Sequence, residues 1–278
     1  MDISTTAKTS QQEALALRYG AAIPPAGPWN DHIALLLSHR SVRGYRPDAL
    51  PAGTLETLVA AAQSAATSSN LQTWSVIAIE DAETKALMTQ WASGQKHISQ
   101  CPLFLVWCAD VSRNARMGEQ EGVELEAMPY LETFLVAAID AALAAQNAVV
   151  AAESLGLDTV YIGALRNKPA EVAERLGLPP GVMGVFGLCV GYAAESVVSE
   201  VKPRLPQPAI LYRETYGNPE EPALRAAYDA EMVAFSERNG MGAENWTRRV
   251  IGRMGKIAAM GGRDKLAGII RALGFPLR

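Results

Sequence analysis

The sequence predicts an α+β fold. Short stretches rich in β-branched and aromatic residues, at 74–79, 103–108, 159–162 and 182–192, read as strands. Segments with helical apolar spacing separate and follow them, the longest over 130–155. Neither GxGxxG nor a P-loop pattern occurs, so a Rossmann or P-loop architecture is not supported.

The bulk numbers narrow the class. A chain of 278 residues forms one large domain or two small ones and buries roughly three quarters of its extended surface. Hydrophobic residues at 49% with 19% charged describe a globular protein, not a disordered one. A net charge of −4 argues against a general nucleic-acid or anionic-membrane binder. Cys101, Cys108 and Cys189 form no CxxC, so neither a disulfide framework nor a zinc site is expected, and a cytoplasmic setting fits best. The start lacks a secretory pattern. The apolar run 131–155 is long enough to span a bilayer, but Glu132, Asp140, Gln146, Asn147 and Glu153 interrupt it, and a buried helix is the better reading.

In chain order, residues 1–30 form an N-terminal extension and 31–278 a single domain. The extension is polar at first, then carries a short helix over 11–19 capped by Ser10, then a Pro-rich linker at 22–28; it reads as a tail on the surface, with an arm embracing a partner subunit as the alternative. A helix over 31–38 leads to His39, and Thr54 is placed to cap another over 55–63. Thr67-Ser68-Ser69-Asn70 groups short polar side chains that either bond nearby backbone in a turn or offer donors to a ligand. After strand 74–79 comes a helix over 82–91 that stops near Gly94. His97 reads as a polar surface or capping residue. Strand 103–108 is continuously apolar, as burial on both faces requires. Residues 110–127, with Arg113, Arg116 and clustered glutamates, read as an exposed excursion near the rim of the active site.

The helix over 130–155 ends at Gly156 in the C′ position. It is apolar nearly all round, which places it in a core or at a subunit interface. Strand 159–162 ends at Gly163-Ala164, and Pro169 opens the next helix. The strand-end glycine admits close approach of a ligand to the backbone, or simply makes a left-handed turn. Gly181, Gly184, Gly187 and Gly191 mark strand 182–192 for close backbone packing. Lys202-Pro203-Arg204-Leu205-Pro206 presents cations on a proline-stiffened loop. Helices are expected over 221–239, 245–254 and 263–273.

The chemistry concentrates at His39-Arg40-Ser41-Val42-Arg43, where Gly44 then loosens the backbone. Arginine forks match phosphate oxygens bidentately in strong charge-assisted bonds, while cations after a helix C-terminus also simply complement its dipole. No Ser-His-Asp arrangement or paired-carboxylate site can be read out. What remains suits an organic cofactor that carries the chemistry while the protein positions it.

Five stretches recur in one order: His-Arg-Ser-Val-Arg (39–43), Ala-Thr-Ser-Ser-Asn-Leu-Gln (66–72), Gly-Gln-Lys-His (94–97), Val-Tyr-Ile-Gly-Ala-Leu-Arg-Asn (160–167) and Lys-Pro-Arg-Leu-Pro (202–206). On these the sequence resembles the FMN-dependent nitroreductase superfamily, nearest its oxygen-insensitive NADPH nitroreductase and flavin reductase branch, from about Asp31 to the C-terminus. The resemblance implies a nitroreductase-like fold: a central, mostly antiparallel sheet flanked by helices, in a homodimer with a long buried central helix and part of each flavin's surroundings supplied by the second chain. It implies that His39, Arg40, Ser41, Arg43, Lys202 and Arg204 hold the FMN phosphate and ribityl chain. Thr67, Ser68, Ser69, Asn70, Gln95, Tyr161, Ile162 and Gly163 would border the ring. Ala164 stands where the family usually has a second glycine. The implied reaction is ping-pong, with hydride passing from NAD(P)H to flavin N5 and then two electrons to a nitroaromatic or a quinone; no catalytic side chain is required. Supply of reduced FMN to a partner monooxygenase, and flavin binding without catalysis, are the alternatives. Arg238, Arg248 and Arg249 are the residues that would read the NADPH 2′-phosphate. A family Arg-Arg pair is replaced by Gly242-Ala243, so the preference leans to NADPH without excluding NADH.

Overall fold

The computed structural model describes residues 10–278, so the polar start at 1–9 lies outside the described residues. The helices are, in chain order, α1 (Gln11–Tyr19), α2 (Asp31–Ser38), α3 (Thr54–Gln63), α4 (Ala82–Trp91), α5 (His97–Gln100), α6 (Ser112–Glu121), α7 (Leu131–Ser154), α8 (Pro169–Leu176), α9 (Glu221–Arg238), α10 (Trp246–Met254) and α11 (Leu266–Ala272). The strands are β1 (Trp74–Ile79), β2 (Leu103–Asp110), β3 (Asp158–Ile162) and β4 (Val182–Gly191). The chain packs as two compact units, 41–197 with 260–278 and 10–40 with 198–259.

The larger unit is built on an antiparallel sheet in the order β1-β2-β4-β3. Every residue of β2 is buried, because alternate side chains feed separate cores. Phe104, Val106 and Cys108 join Met88, Ile98, Leu165 and Val172 on one face. Leu103, Leu105 and Trp107 join Leu58, Ala62 and the α7 alanines on the other. Strands β2 and β4 lie close at Gly187, where an added Cβ would overlap the Phe104 ring.

Helix α7 turns small residues to the sheet. Ala137, Ala141, Ala144, Ala145, Ala148 and Ala152 are buried, and their size lets the helix lie near the strands. Its opposite side shows Leu131, Leu135, Ile139 and Leu143 to the surface, each more than 40% exposed. By length and composition α7 is apolar enough to cross a bilayer.

In the smaller unit α1 opens with a reciprocal cap: Glu13 N–H donates to Ser10 Oγ at 3.3 Å and Ser10 N–H to Glu13 Oε2 at 2.8 Å. Tyr228, Met232 and Phe235 of α9 form its core with Leu205 and Trp246.

The structure departs from the sequence reading in several places. Ala14, Leu15 and Arg18 are buried, so residues 10–19 are not a tail on the surface. The cap of α3 is Gly53 at φ 83°, while the Thr54 hydroxyl donates to the Pro51 carbonyl at 2.7 Å. Residues 110–127 are largely exposed, as expected, but Ser112–Glu121 within them form a regular helix. Asp110 ends β2 and accepts from Ser112 N–H at 2.9 Å and the Ser112 hydroxyl at 2.7 Å, which starts α6; Gly122 in the left-handed region stops it. The final helical stretch is a short 3-10 turn (Arg263–Lys265) followed by α11.

Candidate functional site

Within the larger unit, backbone pairing brings two of the motif segments together. Val42 N–H donates to the Thr159 carbonyl at 3.0 Å, and Ser41 bridges Thr159 in parallel. Ser41 and Arg43 therefore lie beside β3, whose end carries Tyr161, Ile162 and Gly163. Further bonds from Arg46 N–H to Tyr192 O (2.9 Å) and Ala194 N–H to Gly44 O (3.0 Å) staple the segment along the end of β4. Gly44 does not loosen the chain here; a Cβ at that position would collide with Val197, so glycine permits a tight fit.

The Gly163–Asn167 turn adds Arg166 and Asn167, which belong to the 160–167 motif but carry no role in the sequence analysis. The Arg166 guanidinium donates to the Val185 carbonyl at 2.6 Å, and Asn167 Nδ2 donates to Ser93 Oγ at 2.9 Å. The second bond ties this turn to the segment carrying Gln95. Gly163 does not adopt a left-handed conformation. A Cβ there would stand 3.3 Å from an Arg166 nitrogen, so glycine leaves room for the Arg166 guanidinium beside the backbone. Tyr161 is steadied by Gln146 Oε1, which accepts from its hydroxyl at 3.4 Å, and by the edge of Phe186.

Gln95 is half-buried and His97 is buried, against the expectation that His97 is a surface residue. Burial first, then the positive charge of Arg43, holds the His97 imidazole below its ordinary pKa of 6.5. Its Nε2 is buried without a hydrogen-bond partner among the described residues.

The Thr67–Asn70 group is anchored separately. Ser68–Asn70 forms a 3-10 turn in which Ser69 (φ 47°) and Asn70 (φ 53°) are left-handed, as is Gln72 (φ 51°) just beyond. Such conformations are costly for residues other than glycine and persist only when their surroundings hold them. The holder is Asp140 of α7, 1% exposed. Its carboxylate accepts from Ser68 N–H (3.1 Å), Thr73 N–H (3.3 Å) and the Thr73 hydroxyl (3.0 Å). Ser68, Ser69 and Asn70 are exposed, and Asn70 lines a cleft of about 660 Å³ together with Gln72, Arg113, Asn114 and Met117.

Within the smaller unit, His39 and Arg40 follow α2, and Lys202 and Arg204 lie on the proline-stiffened loop. Lys202 Nζ sits 5.7 Å from the centre of the Phe235 ring, a cation–π distance. The Arg204 guanidinium donates to the Lys202 and Pro203 carbonyls at 3.2 and 3.3 Å. Of the arginines assigned to NADPH, Arg238 pairs with Glu200 at 3.4 Å. Arg249 pairs with Glu244 at 3.2 Å and donates to Ser236 Oγ at 2.9 Å. Arg248 is exposed.

This sheet, with a glycine-ended strand beside an arginine-rich segment, matches known proteins. The Nitroreductase family model matches residues 36–192 and the model of the Nitroreductase family C-terminal domain matches 202–278. The chain belongs to the nitroreductase family. It is 39% identical to the FMN reductase [NAD(P)H] of Bacillus subtilis over 225 residues, 80% of this chain and 90% of that protein. It is 37% identical to the oxygen-insensitive NADPH nitroreductase of Salmonella typhimurium over 203 residues, 73% of this chain and 81% of that one. The structure of Bacillus megaterium NfrA2 superimposes with a TM-score of 0.84 at 37% identity, covering 90% of this chain and all of the other. The Vibrio harveyi NADPH:FMN oxidoreductase complexed with NAD+ superimposes at 0.79 with 30% identity, covering 90% and 100%.

Proposed function

We propose that this chain is an NAD(P)H-dependent FMN oxidoreductase that reduces nitroaromatic and quinone substrates. The observation that carries the reading is the bridge from Ser41 to Thr159, which sets Ser41 and Arg43 beside the strand that leads into Gly163. The residues fit a phosphorylated flavin: a buried His97 Nε2, unpartnered among the described residues, lies two residues from Gln95, and cations occur at both ends of the motif set. Bound FMN would supply hydride acceptance from NAD(P)H and onward two-electron transfer.

The chain's own residues bind and orient. His39, Arg40, Ser41, Arg43, Lys202 and Arg204 are assigned to the phosphate and ribityl chain, where guanidinium forks neutralise charge. Tyr161, Ile162, Gly163 and Gln95 are assigned to the ring edge, and Thr67, Ser68, Ser69 and Asn70 offer hydroxyl and amide donors. Arg40 or Arg43 placed near the bound flavin would stabilise negative charge that develops there. Arg238, Arg248 and Arg249 are assigned to NADPH, with the ion pairs of Arg238 and Arg249 exchanged for its 2′-phosphate. Residues 31–278 are assigned as one functional domain, with residues 10–30 packed into its smaller unit. The exposed apolar stripe of α7 supports a homodimer, from which part of each flavin's surroundings would come. The free, buried Cys101, Cys108 and Cys189 agree with a cytoplasmic setting.

A second reading is supported by the relatives named FMN reductase, at 39% and 37% identity: release of reduced FMN to a partner monooxygenase. An anaerobic visible spectrum of the FMN-loaded protein, before and after NADPH and then NADH, tests the assignment. Bleaching of the flavin band is expected, faster with NADPH. A flavin that neither nucleotide reduces would overturn the enzyme reading. Turnover of added free FMN faster than of a nitroaromatic or quinone would select the second one.

A further inference from the structure

We infer that Arg18, on the N-terminal helix, is a positioning residue that holds the cation-bearing segments of the smaller unit in a common geometry for anion binding. The inference rests on the FMN assignment above and adds to it a function for the extension.

Arg18 is 6% exposed, an unusual state for an arginine and one that requires its donors to be used. One terminal nitrogen donates to the Lys202 carbonyl at 2.7 Å. The other donates to the Leu37 carbonyl at 2.6 Å and the His39 carbonyl at 2.8 Å. Its own carbonyl accepts from Arg204 N–H at 2.8 Å. A single residue therefore bonds the backbone on both sides of the gap between His39-Arg40 and Lys202-Arg204, segments more than 160 positions apart in the chain.

These are bonds to backbone, and that is why the effect is positional. Carbonyls fixed at Leu37 and His39 set the direction in which the chain leaves α2, and hence where the Arg40 side chain starts. The Lys202 carbonyl and the Arg204 N–H fix the opposite loop at both cationic residues. A planar guanidinium with several fixed donors can satisfy carbonyls from separate segments at once, whereas an ammonium acts as a point charge. The rest of α1 reinforces the placement: Ser10 and Glu13 cap it, Ala14 and Leu15 are buried, and Ala21 N–H donates to Glu231 of α9 at 3.2 Å. Arg18 need not touch the cofactor. Holding charges at fixed separation lowers the ordering cost of anion binding, which is how preorganisation raises affinity.

The test measures FMN dissociation by flavin fluorescence in Arg18→Ala, Arg18→Lys and Leu15→Ala beside the natural chain, with circular dichroism and melting of each. Arg18→Ala is expected to weaken FMN about tenfold or more, on the scale of a lost charge-assisted hydrogen bond. Added methylguanidinium should restore part of that loss, and methylammonium should not. Arg18→Lys should fall between the natural chain and Arg18→Ala; if Arg18→Ala does not fold, Arg18→Lys decides the matter. Leu15→Ala, which removes packing from α1 but keeps the guanidinium, should melt lower yet bind FMN as the natural chain does. Unchanged FMN affinity in folded Arg18 variants would overturn the inference. Equal loss in Leu15→Ala would overturn it too, because Arg18 would then act only through the packing of α1. A natural chain that binds no FMN would instead sink the cofactor assignment itself.

Discussion

At single residues, the polar groups that matter are those whose partners are backbone. Asp140 takes up three donors from the Ser68–Thr73 segment while 1% exposed. Asp140→Ala would strand those donors and release a turn with left-handed residues. A loss of about 2–4 kcal/mol is expected from urea unfolding. Arg204→Ala should weaken FMN about tenfold or more, read by flavin fluorescence; unchanged affinity would remove Arg204 from the phosphate assignment. His97 gives a pH dependence whose sign follows from its lowered pKa. The unfolded chain binds the proton more readily than the folded one, so the group's effect is constant above the ordinary value of 6.5 and stability declines as pH falls below it. Urea midpoints measured from neutral pH downward should show that decline, and His97→Gln should flatten it.

At the scale of elements, α7 serves two surfaces with two compositions. Its alanine side lets the sheet approach, and its Leu131, Leu135, Ile139 and Leu143 side remains apolar and uncovered within one chain. A stripe of that kind is where the proposed dimer contact is tested. Ile139→Glu should convert a dimer to a monomer in light scattering while the circular dichroism spectrum is retained, since Ile139 is 56% exposed and supports no core. A dimer that survives the substitution would move the interface elsewhere. Helix α6 shows why local reading fell short over 110–127. Its sequence is polar and glutamate-rich, and its start depends on Asp110, a residue that first has to be placed at the end of β2.

At the scale of the whole molecule, a ligand that binds only the folded state stabilises it by mass action. FMN at about one hundred times its dissociation constant should stabilise the chain by about 2.7 kcal/mol and raise its melting temperature. The Arg204→Ala protein at the same FMN concentration should gain less. A melting curve indifferent to FMN would contradict the assignment of the cofactor.

What the amino-acid sequence by itself determined is the part governed by short-range preference. Caps and periodicity set the bounds of α1, α2, β1 and α4, which the structure reproduces to the residue, and the arginine, serine and glycine motifs were visible as ordered strings. Tertiary structure alone decided the strand order β1-β2-β4-β3, the burial of His97, the tight fit at Gly44 and the docking of Arg18 on carbonyls from residues 37, 39 and 202. Periodicity reports the next turn or the next alternate residue. It says nothing of which backbone, more than a hundred positions away, will arrive to satisfy a buried donor.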